Sequence, residues 1–258
     1  MPIAILRAGD ERVSPVVCIH PVSGRADAYL PLADALDWPG PVLGISAPDP
    51  AGDEGYRLTD LASRYGDELD LRMPQRLLGW SIGGVIAAEL SRTIVARGGT
   101  VSFLGVLDSR APQPEMRQRP TDRETLARSF LHQVALTREL SPLASPPAST
   151  RPADLLAALA TLGAGYEFGD EAEAERRLQI YMGLIRALFH HVQRPVPVTL
   201  HLFESADAHP SHPKPPTLGW DYLAPKIERR QVAGTHFTLL APHRIEALAA
   251  TIGGCLPR

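Results

Sequence analysis

The sequence predicts an α/β protein with a mostly parallel sheet, helices on both faces and one helical insertion. Two observations support this prediction. Short apolar runs alternate with helical stretches up to residue 107 and again near the end of the chain, and this alternation is typical of parallel strands joined by helices. Between about residues 111 and 194 the alternation stops, and three helical stretches follow one another without a convincing strand.

Length and composition limit the possible classes of protein. The chain has 258 residues, of which 44% are hydrophobic, enough for one well-buried domain over residues 1–258. A net charge of −3 leaves no basic surface for nucleic acid. No 18-residue apolar run predicts a membrane span, and the N-terminus lacks a secretory signal. With two distant cysteines, Cys18 and Cys255, we expect a cytoplasmic protein without structural disulfides.

The first part of the chain supplies most of the predicted sheet. The run at residues 16–20 (VVCIH) is continuously apolar, which favours a strand buried on both faces. The stretch at 58–71 carries apolar residues at helical spacing. The predicted strands here are residues 3–7, 16–20, 42–46, 76–80 and 101–107, and the predicted helices are 26–36, 58–71 and 82–97.

The insertion at about 111–194 is predicted to form a lid over the active site, because it follows directly from the strand that ends at Asp108. The alternative is a helical extension that only supports the sheet. Its predicted helices are 121–140, 152–162 and 171–192, the first with capping-box spacing at 121–124. Beyond it we expect strands at 196–204 and 226–232 and a final helix at 243–252. The proline clusters at 142–152 and 210–216 predict surface loops.

A serine between two glycines marks the candidate nucleophile. Residues 79–83 (GWSIG) lie where a predicted strand meets a predicted helix. This is the pattern of the nucleophile elbow of α/β-hydrolases, in which a tight strand-to-helix turn exposes the serine hydroxyl. The start of the helix behind it directs N–H groups and its positive dipole end toward developing negative charge. Ser81 is therefore the predicted nucleophile.

A serine nucleophile requires a base. His236 follows the last predicted strand and precedes the last helix, in the order Ser, acid, His that this fold uses. His243, on the final helix, is a weaker alternative. A metal site at His209 and His212 in the proline loop lacks an evident third ligand. Other histidines were interpreted as structural or solvated: His132, His190, His191 and His201.

The base in turn needs an orienting acid. Asp108 directly ends an apolar strand and is the favoured candidate. Glu204 and Asp207 end the strand after the insertion and remain alternatives. Two backbone N–H groups should stabilise the oxyanion: that of Ile82, the residue after the nucleophile, and one from the loop at 20–24, for which we select Val22.

With these residues in place, the chain resembles the terminal (type I) thioesterase domains of nonribosomal peptide synthetases over about residues 15–252. The motifs that carry the resemblance are residues 20–24 (HPVSG), 79–84 (GWSIGG), 107–109 (LDS) and 234–237 (GTHF). Stand-alone editing (type II) thioesterases usually have histidine before the serine, so Trp80 favours the terminal class. The position of Asp108 favours it as well.

The resemblance implies a reaction. An acyl or peptidyl carrier protein, in cis or in trans, presents a thioester on its phosphopantetheine arm, and Ser81 takes the acyl group. Water or an internal nucleophile then releases it, by hydrolysis or macrocyclisation. The enzyme itself would need no cofactor and no metal. The alternatives are a type II editing thioesterase, a general serine esterase and a non-catalytic binding module.

Overall fold

Seven strands form a single sheet in the computed structural model, which describes residues 3–50, 55–143, 147, 149–207 and 215–257. The strand order is β1-β3-β2-β4-β5-β6-β7. The edge strand β1 is antiparallel to β3, and every other pair is parallel, which confirms the predicted fold class. The strands are β1 (Ile3–Arg7), β2 (Val16–Ile19), β3 (Val42–Ile45), β4 (Gln75–Trp80), β5 (Val101–Leu107), β6 (Leu200–Ser205) and β7 (Ile227–Val232).

Helices cover both faces of this sheet. Helices α1 and α8 contact each other on one face, and α2 and α3 contact each other on the opposite face. The sequence of β2 is continuously apolar because the strand is buried on both faces. Val17 and Ile19 pack in the α2–α3 core, whereas Val16 and Cys18 pack in the α1–α8 core. The helices are α1 (Leu30–Ala35), α2 (Leu58–Asp67), α3 (Ile82–Ala96), α4 (Arg123–Thr137), α5 (Pro152–Thr161), α6 (Gly165–Phe168), α7 (Glu171–His190) and α8 (Ile245–Gly253).

The described part of the inserted segment contains a 3-10 turn at Pro114–Gln118 and the helices α4 to α7, which contact one another. Their apolar side chains belong to the same core as α2 and α3. Phe130 of α4 is central, because its ring lies 5.7 Å from that of Phe168 and 5.4 Å from that of Tyr181. The insertion reaches the turn after β4, because residues of α4 and α7 line one cavity with Ser81.

Some element boundaries differ from those predicted, and the reasons are local. The helix expected at 26–36 begins as a 3-10 turn at Ala26–Tyr29 before α1. Helix α4 is capped not by residue 121 but by Asp122, which accepts the Thr125 N–H at 2.9 Å. The strand expected at 196–204 starts only at Leu200, since Pro197 has no N–H to donate to a neighbouring strand. The short helix α6 was not predicted.

Several expectations concern the rest of the chain. Cys18 is fully buried, and burial raises the pKa of its thiol to about 12. Both cysteines are free. No described helix is long and apolar enough to cross a membrane. Parts of both proline clusters, at 144–146, 148 and 208–214, lie outside the described residues, and so do His209 and His212.

Candidate active site

Ser81 occupies the turn between β4 and α3 with a strained backbone. Its φ is 58° and its ψ is −129°, a conformation that residues with a Cβ adopt only when the surrounding structure enforces it. The Ser81 N–H donates to the Leu107 carbonyl of β5 at 3.1 Å. This bond links the turn to the neighbouring strand and fixes it at the carboxyl edge of the sheet.

The glycines of the pentad are required by close backbone contacts. A Cβ on Gly79 would lie 2.1 Å from the Gly83 carbonyl oxygen. A Cβ on Gly83 would lie 2.4 Å from the carbonyl oxygen of Ile19 in β2. Real Cβ atoms do not approach backbone so closely, so the helix can start this near the sheet only with glycine at both positions.

His236 and Asp108 are paired at the same edge. The His236 Nδ1 lies 3.1 Å from the Asp108 Oδ2 and also 3.1 Å from the Asp108 carbonyl oxygen. Both side chains are buried. Because a carboxylate oxygen and a carbonyl oxygen both accept, the proton of a neutral imidazole lies on Nδ1. Its Nε2 is then the nitrogen that can take a proton.

The Asp108 carboxylate is held by the strand on its far side. Its Oδ1 accepts the Ser205 N–H at 2.8 Å, and the Asp108 N–H donates to the Phe203 carbonyl at 2.8 Å. Its φ is 43°, a left-handed conformation. Two backbone bonds to β6 thus orient a fully buried carboxylate toward His236.

The alternative acids and base have other surroundings. The Glu204 Oε2 accepts from Arg229 at 2.7 Å in an ion pair. Asp207 is exposed, and its N–H donates to the Gly234 carbonyl. His243 is also exposed, 3.7 Å from Glu139. Of the three candidate acids, Asp108 is the one that the contacts of the described residues pair with His236.

Trp80 and Tyr29 connect the elbow to the histidine loop. The Trp80 indole N–H donates to the His236 carbonyl at 3.0 Å. The Trp80 backbone N–H donates to the Tyr29 hydroxyl at 2.7 Å, and that hydroxyl donates to the Ile19 carbonyl at 2.8 Å. All of these groups are buried. In the sequence Trp80 carries only the family resemblance and nothing points to Tyr29, because no local motif signals this contact.

The predicted oxyanion groups lie at the same place. Val22 and Ile82 line one cavity with Ser81 and His236. Among the described residues, neither the Val22 N–H nor the Ile82 N–H donates to a backbone carbonyl.

His20 supports the loop that carries Val22. Its Nδ1–H donates to the Pro21 carbonyl at 2.8 Å, and its Nε2 accepts from the Tyr65 hydroxyl at 2.8 Å. The ring is fully buried, and this burial lowers the pKa of His20 to about 4. His20 is therefore neutral at physiological pH and holds the loop with one donor and one acceptor.

The cavity around Ser81 has a volume of about 370 Å³. Helix α7 contributes a mainly apolar wall that includes Tyr181, Ile185 and Phe189. Helix α4 contributes the more polar side, with His132 and Gln133. His132, which the sequence predicts to be structural or solvated, lines this cavity. Helical position alone did not show which face of α4 turns inward.

Two arginines also line this cavity and were missed from the sequence. Arg110 is the second residue after Asp108, and Arg119 follows in the segment before α4. Their place in the sequence could have indicated this, because residues just after a strand that ends at the edge carrying the site remain near that edge. Among the described residues, no group of three His, Cys, Asp or Glu side chains is arranged to hold a metal ion.

Comparison with known proteins agrees with this geometry. The thioesterase domain family model matches residues 14–256. Enterobactin synthase component F of Escherichia coli (strain K12) is 33% identical over 103 residues, which make up 38% of this chain and 8% of that protein. The chain thus spans only a small part of the length of that relative.

Two solved structures share the fold. A four-domain nonribosomal peptide synthetase, holo-AB3403, superposes with a TM-score of 0.88 at 22% identity, over 100% of this chain and 20% of that chain. The type II thioesterase BorB from the borrelidin biosynthetic cluster gives a TM-score of 0.68 at 21% identity, over 99% of this chain and 97% of that one. At these identities the likeness shows the fold.

Proposed function

This chain belongs to the thioesterase domain family, and we propose that it releases an acyl or peptidyl chain from the phosphopantetheine thioester of a carrier protein through an ester on Ser81. The observation that carries the proposal is the buried pair of His236 Nδ1 and Asp108 Oδ2, 3.1 Å apart. It lies at the edge of the sheet where a strained turn presents Ser81. Ser81 and His236 line one cavity.

The pairing assigns a task to each side chain. Because Asp108 holds the proton on Nδ1, the His236 Nε2 takes the Ser81 proton as the hydroxyl attacks the thioester carbonyl. The negative charge that forms on the carbonyl oxygen is stabilised by the N–H groups of Ile82 and Val22. Asp108 stabilises the imidazolium that results.

Collapse of this intermediate expels the pantetheine thiolate and leaves the acyl group on Ser81. Because the pKa of a thiol is near 8.5, the thiolate leaves with little need for protonation. The proton on His236 then neutralises the departed thiolate. His236 then deprotonates water, or an amine or hydroxyl of the acyl chain itself. Attack on the ester gives a linear or a cyclic product and restores the Ser81 hydroxyl.

We propose the helices α4 to α7 as the lid of this site. Both α4 and α7 line the cavity that contains Ser81, and α7 contributes its apolar face. A wall of this kind excludes water and favours a folded acyl chain over bulk solvent as the attacking species. The same helices also bury apolar side chains in the core that includes α2 and α3, so the lid has a structural role as well.

The carrier is the proposed partner. Enterobactin synthase component F and the four-domain synthetase are much longer than this chain, which supports delivery by a carrier domain, in cis or in trans. The enzyme supplies its own nucleophile, base and acid, so the proposed reaction uses no metal or cofactor of its own. The only prosthetic group involved is the phosphopantetheine arm that belongs to the carrier.

A type II editing thioesterase is the second candidate, and it is favoured by one observation. The type II thioesterase BorB shares the fold of this chain. Such an enzyme would prefer short acyl groups and show little dependence on chain length. The tryptophan that precedes Ser81 instead favours release of a longer product.

Substrate comparison tests the proposal. We expect thiol release from an octanoyl-pantetheine thioester to exceed alcohol release from the matched oxygen ester in kcat/KM by at least about tenfold, and to be abolished in Ser81→Ala. We also expect kcat/KM to rise from acetyl to octanoyl thioesters. Equal use of esters would establish a general esterase, and a flat profile with a preference for acetyl would establish an editing enzyme.

A further inference from the structure

A second cavity adjoins the one that contains Ser81. It has a volume of about 740 Å³ and lies between helix α4, the segment after β2 and the segment after His236. Three residues line both cavities and mark the place where the two meet: Gln133, Tyr181 and Phe237. A thioester extends from its carbonyl carbon in two directions, as the acyl chain and as the pantetheine arm. A substrate bound at Ser81 therefore has a cavity available for each of its two ends.

Tyr181 is fixed in place at this junction. It is buried, and its hydroxyl lies 2.7 Å from the hydroxyl of Ser129. The centre of its ring lies 5.4 Å from that of Phe130. Ser129 and Phe130 belong to α4, whereas Tyr181 belongs to α7. A hydrogen bond and a ring contact thus join the two helices where the cavities meet, so groups on α4 have a defined position there.

Gln133 lies one turn after Ser129 and on the same side of α4. It is half-buried, and among the described residues its side-chain amide has no hydrogen-bond partner. This amide carries an acceptor oxygen and two donor N–H groups. A ligand that displaces water from it without offering a hydrogen bond would leave these polar atoms unpaired, which costs free energy. A plain hydrocarbon chain is such a ligand.

The polar side of the Ser81 cavity continues along α4. Thr125, Ser129 and Gln133 line it at intervals of four residues, so they share one face of the helix. All three side chains are uncharged and can both donate and accept hydrogen bonds. A row of this kind suits a ligand group that is itself polar but uncharged.

We propose that Gln133 binds a secondary amide of the thioester substrate and is a specificity-determining residue of the site. This inference rests on the proposed function, since it concerns the substrate of the same site. The side-chain oxygen of Gln133 accepts the N–H of that amide. An amide-bearing substrate thereby replaces the hydrogen bond that water gives up, which a hydrocarbon of the same length does not.

Two parts of the substrate carry a secondary amide close to the thioester. In a peptidyl chain, the amide nitrogen is bonded to the carbon next to the thioester carbonyl. In the pantetheine arm, the nearest amide nitrogen is separated from the sulfur by two carbons. Because Gln133 lines both cavities, both amides are within the scope of the proposal, and separate substrate pairs distinguish them.

Replacement of one N–H by a methylene group tests the acyl side. The N-butyrylglycyl and 4-oxoheptanoyl thioesters of N-acetylcysteamine differ only in that group. If Gln133 binds the acyl amide, the ratio of their kcat/KM values, amide over ketone, should fall by about threefold to tenfold from the wild type to Gln133→Leu, the effect of one uncharged hydrogen bond. Differences in intrinsic reactivity cancel, because both enzymes receive the same two substrates.

The arm is tested with a second pair. Octanoyl thioesters of N-acetylcysteamine and of 5-mercaptopentan-2-one differ by the same exchange of N–H for methylene, now on the side of the leaving thiol. If Gln133 binds the amide of the arm, this ratio should fall by the same factor in Gln133→Leu. A fall in either ratio supports the proposal and identifies the source of the amide.

Two control variants separate the hydrogen bond from other effects. Gln133→Glu keeps an acceptor oxygen and should retain the preference for the N–H compound that Gln133→Leu loses. Gln118→Leu makes the same exchange at an exposed glutamine that lines neither cavity, and it should leave both ratios at their wild-type values. Ratios that Gln133→Leu does not alter, or that Gln118→Leu lowers equally, would overturn the inference. Turnover of the ketone substrates that disappears in Ser81→Ala would still support the proposed function.

Discussion

At the scale of single residues, the assignment of Asp108 as the acid is the proposal that a single substitution tests most clearly. Asp108 is fully buried and held by two backbone bonds to β6, whereas Asp207 is exposed. We expect Asp108→Asn to lower kcat by about 10⁴-fold, because it favours the wrong tautomer of His236. Ser81→Ala and His236→Ala should each cost about 10⁶-fold. Hydrolysis of an acyl-pantetheine thioester measures all three.

Asp207→Asn is the matched control, and it should turn over the thioester at close to the wild-type rate. An inactive Asp207→Asn beside an active Asp108→Asn would transfer the role of the acid to the strand after the insertion. Thermal unfolding of each variant distinguishes loss of catalysis from loss of the fold.

His20 makes stability depend on pH. Its pKa is about 4 in the folded protein, against an ordinary value of 6.5. Between these values the unfolded chain binds a proton that the folded protein does not, so the free energy of unfolding falls as pH falls through this window. From about pH 7 to about pH 5 the loss from this group should be about 2 kcal/mol.

Urea unfolding at the two pH values measures this effect. His20→Gln can donate to Pro21 and accept from Tyr65 without titrating, so it should lose less stability on acidification than the wild type. His243→Gln, which removes an exposed histidine, should keep the wild-type dependence. Identical slopes for His20→Gln and the wild type would contradict the burial argument.

The sequence alone predicts candidate site residues where they follow a predicted strand and belong to a local motif. Ser81 and Asp108 each follow an apolar run, His236 follows the last strand, and the chain order expected for the fold proposes a role for each. The Tyr29 hydroxyl and the Arg110 guanidinium were not predictable in the same way. Their contacts depend on how distant elements pack, and a sequence pattern carries no direct record of such packing.

At the scale of elements, strands and helices were predicted best where the pattern is continuous. The strand β5 (Val101–Leu107) has the predicted bounds, because an uninterrupted apolar run ends at a charged residue. The strand β6 was predicted to start too early, at residue 196, because the residues around Pro197 are apolar and continue the strand pattern. The helices α4, α5 and α7 of the insertion were expected, but α6 is a single short turn with too few residues to show periodicity.

The junction of β4 with α3 depends on glycine. A Cβ on Gly83 would meet the carbonyl oxygens of Ile19 at 2.4 Å and of His20 at 2.7 Å, and both belong to backbone. We expect Gly83→Ala to lower the free energy of unfolding by about 2–3 kcal/mol. It should also reduce kcat, because the helix must move away from β2 and take the Ile82 N–H with it.

Gly254→Ala provides the matched control for Gly83→Ala. Gly254 has a helical φ of −65°, and the nearest atom to a Cβ there is 3.5 Å away. Alanine should be neutral or stabilising by about 0.4–1 kcal/mol at this position. Chemical denaturation and thioester turnover are measured for both variants. A Gly83→Ala protein as stable and active as the Gly254→Ala protein would show that the elbow tolerates a side chain.

At the scale of the whole molecule, the site is built where three parts of the chain meet. The sheet edge supplies Ser81 and Asp108, the loop before α8 supplies His236, and the insertion lines the cavity next to them. Trp80 ties the first part to the second through its bond to the His236 carbonyl. The sequence predicted which parts meet, but the shape and charge of the cavity emerged only from the packed structure.

Intact-protein mass spectrometry after brief exposure to an acyl-pantetheine thioester tests the central claim most directly. The account predicts a transient mass gain equal to the acyl group in the wild-type protein and no gain in Ser81→Ala. An equal gain in Ser81→Ala would place the covalent step at another residue. Rapid turnover of the thioester without any acylated protein, even when the reaction is quenched early, would contradict a serine ester altogether.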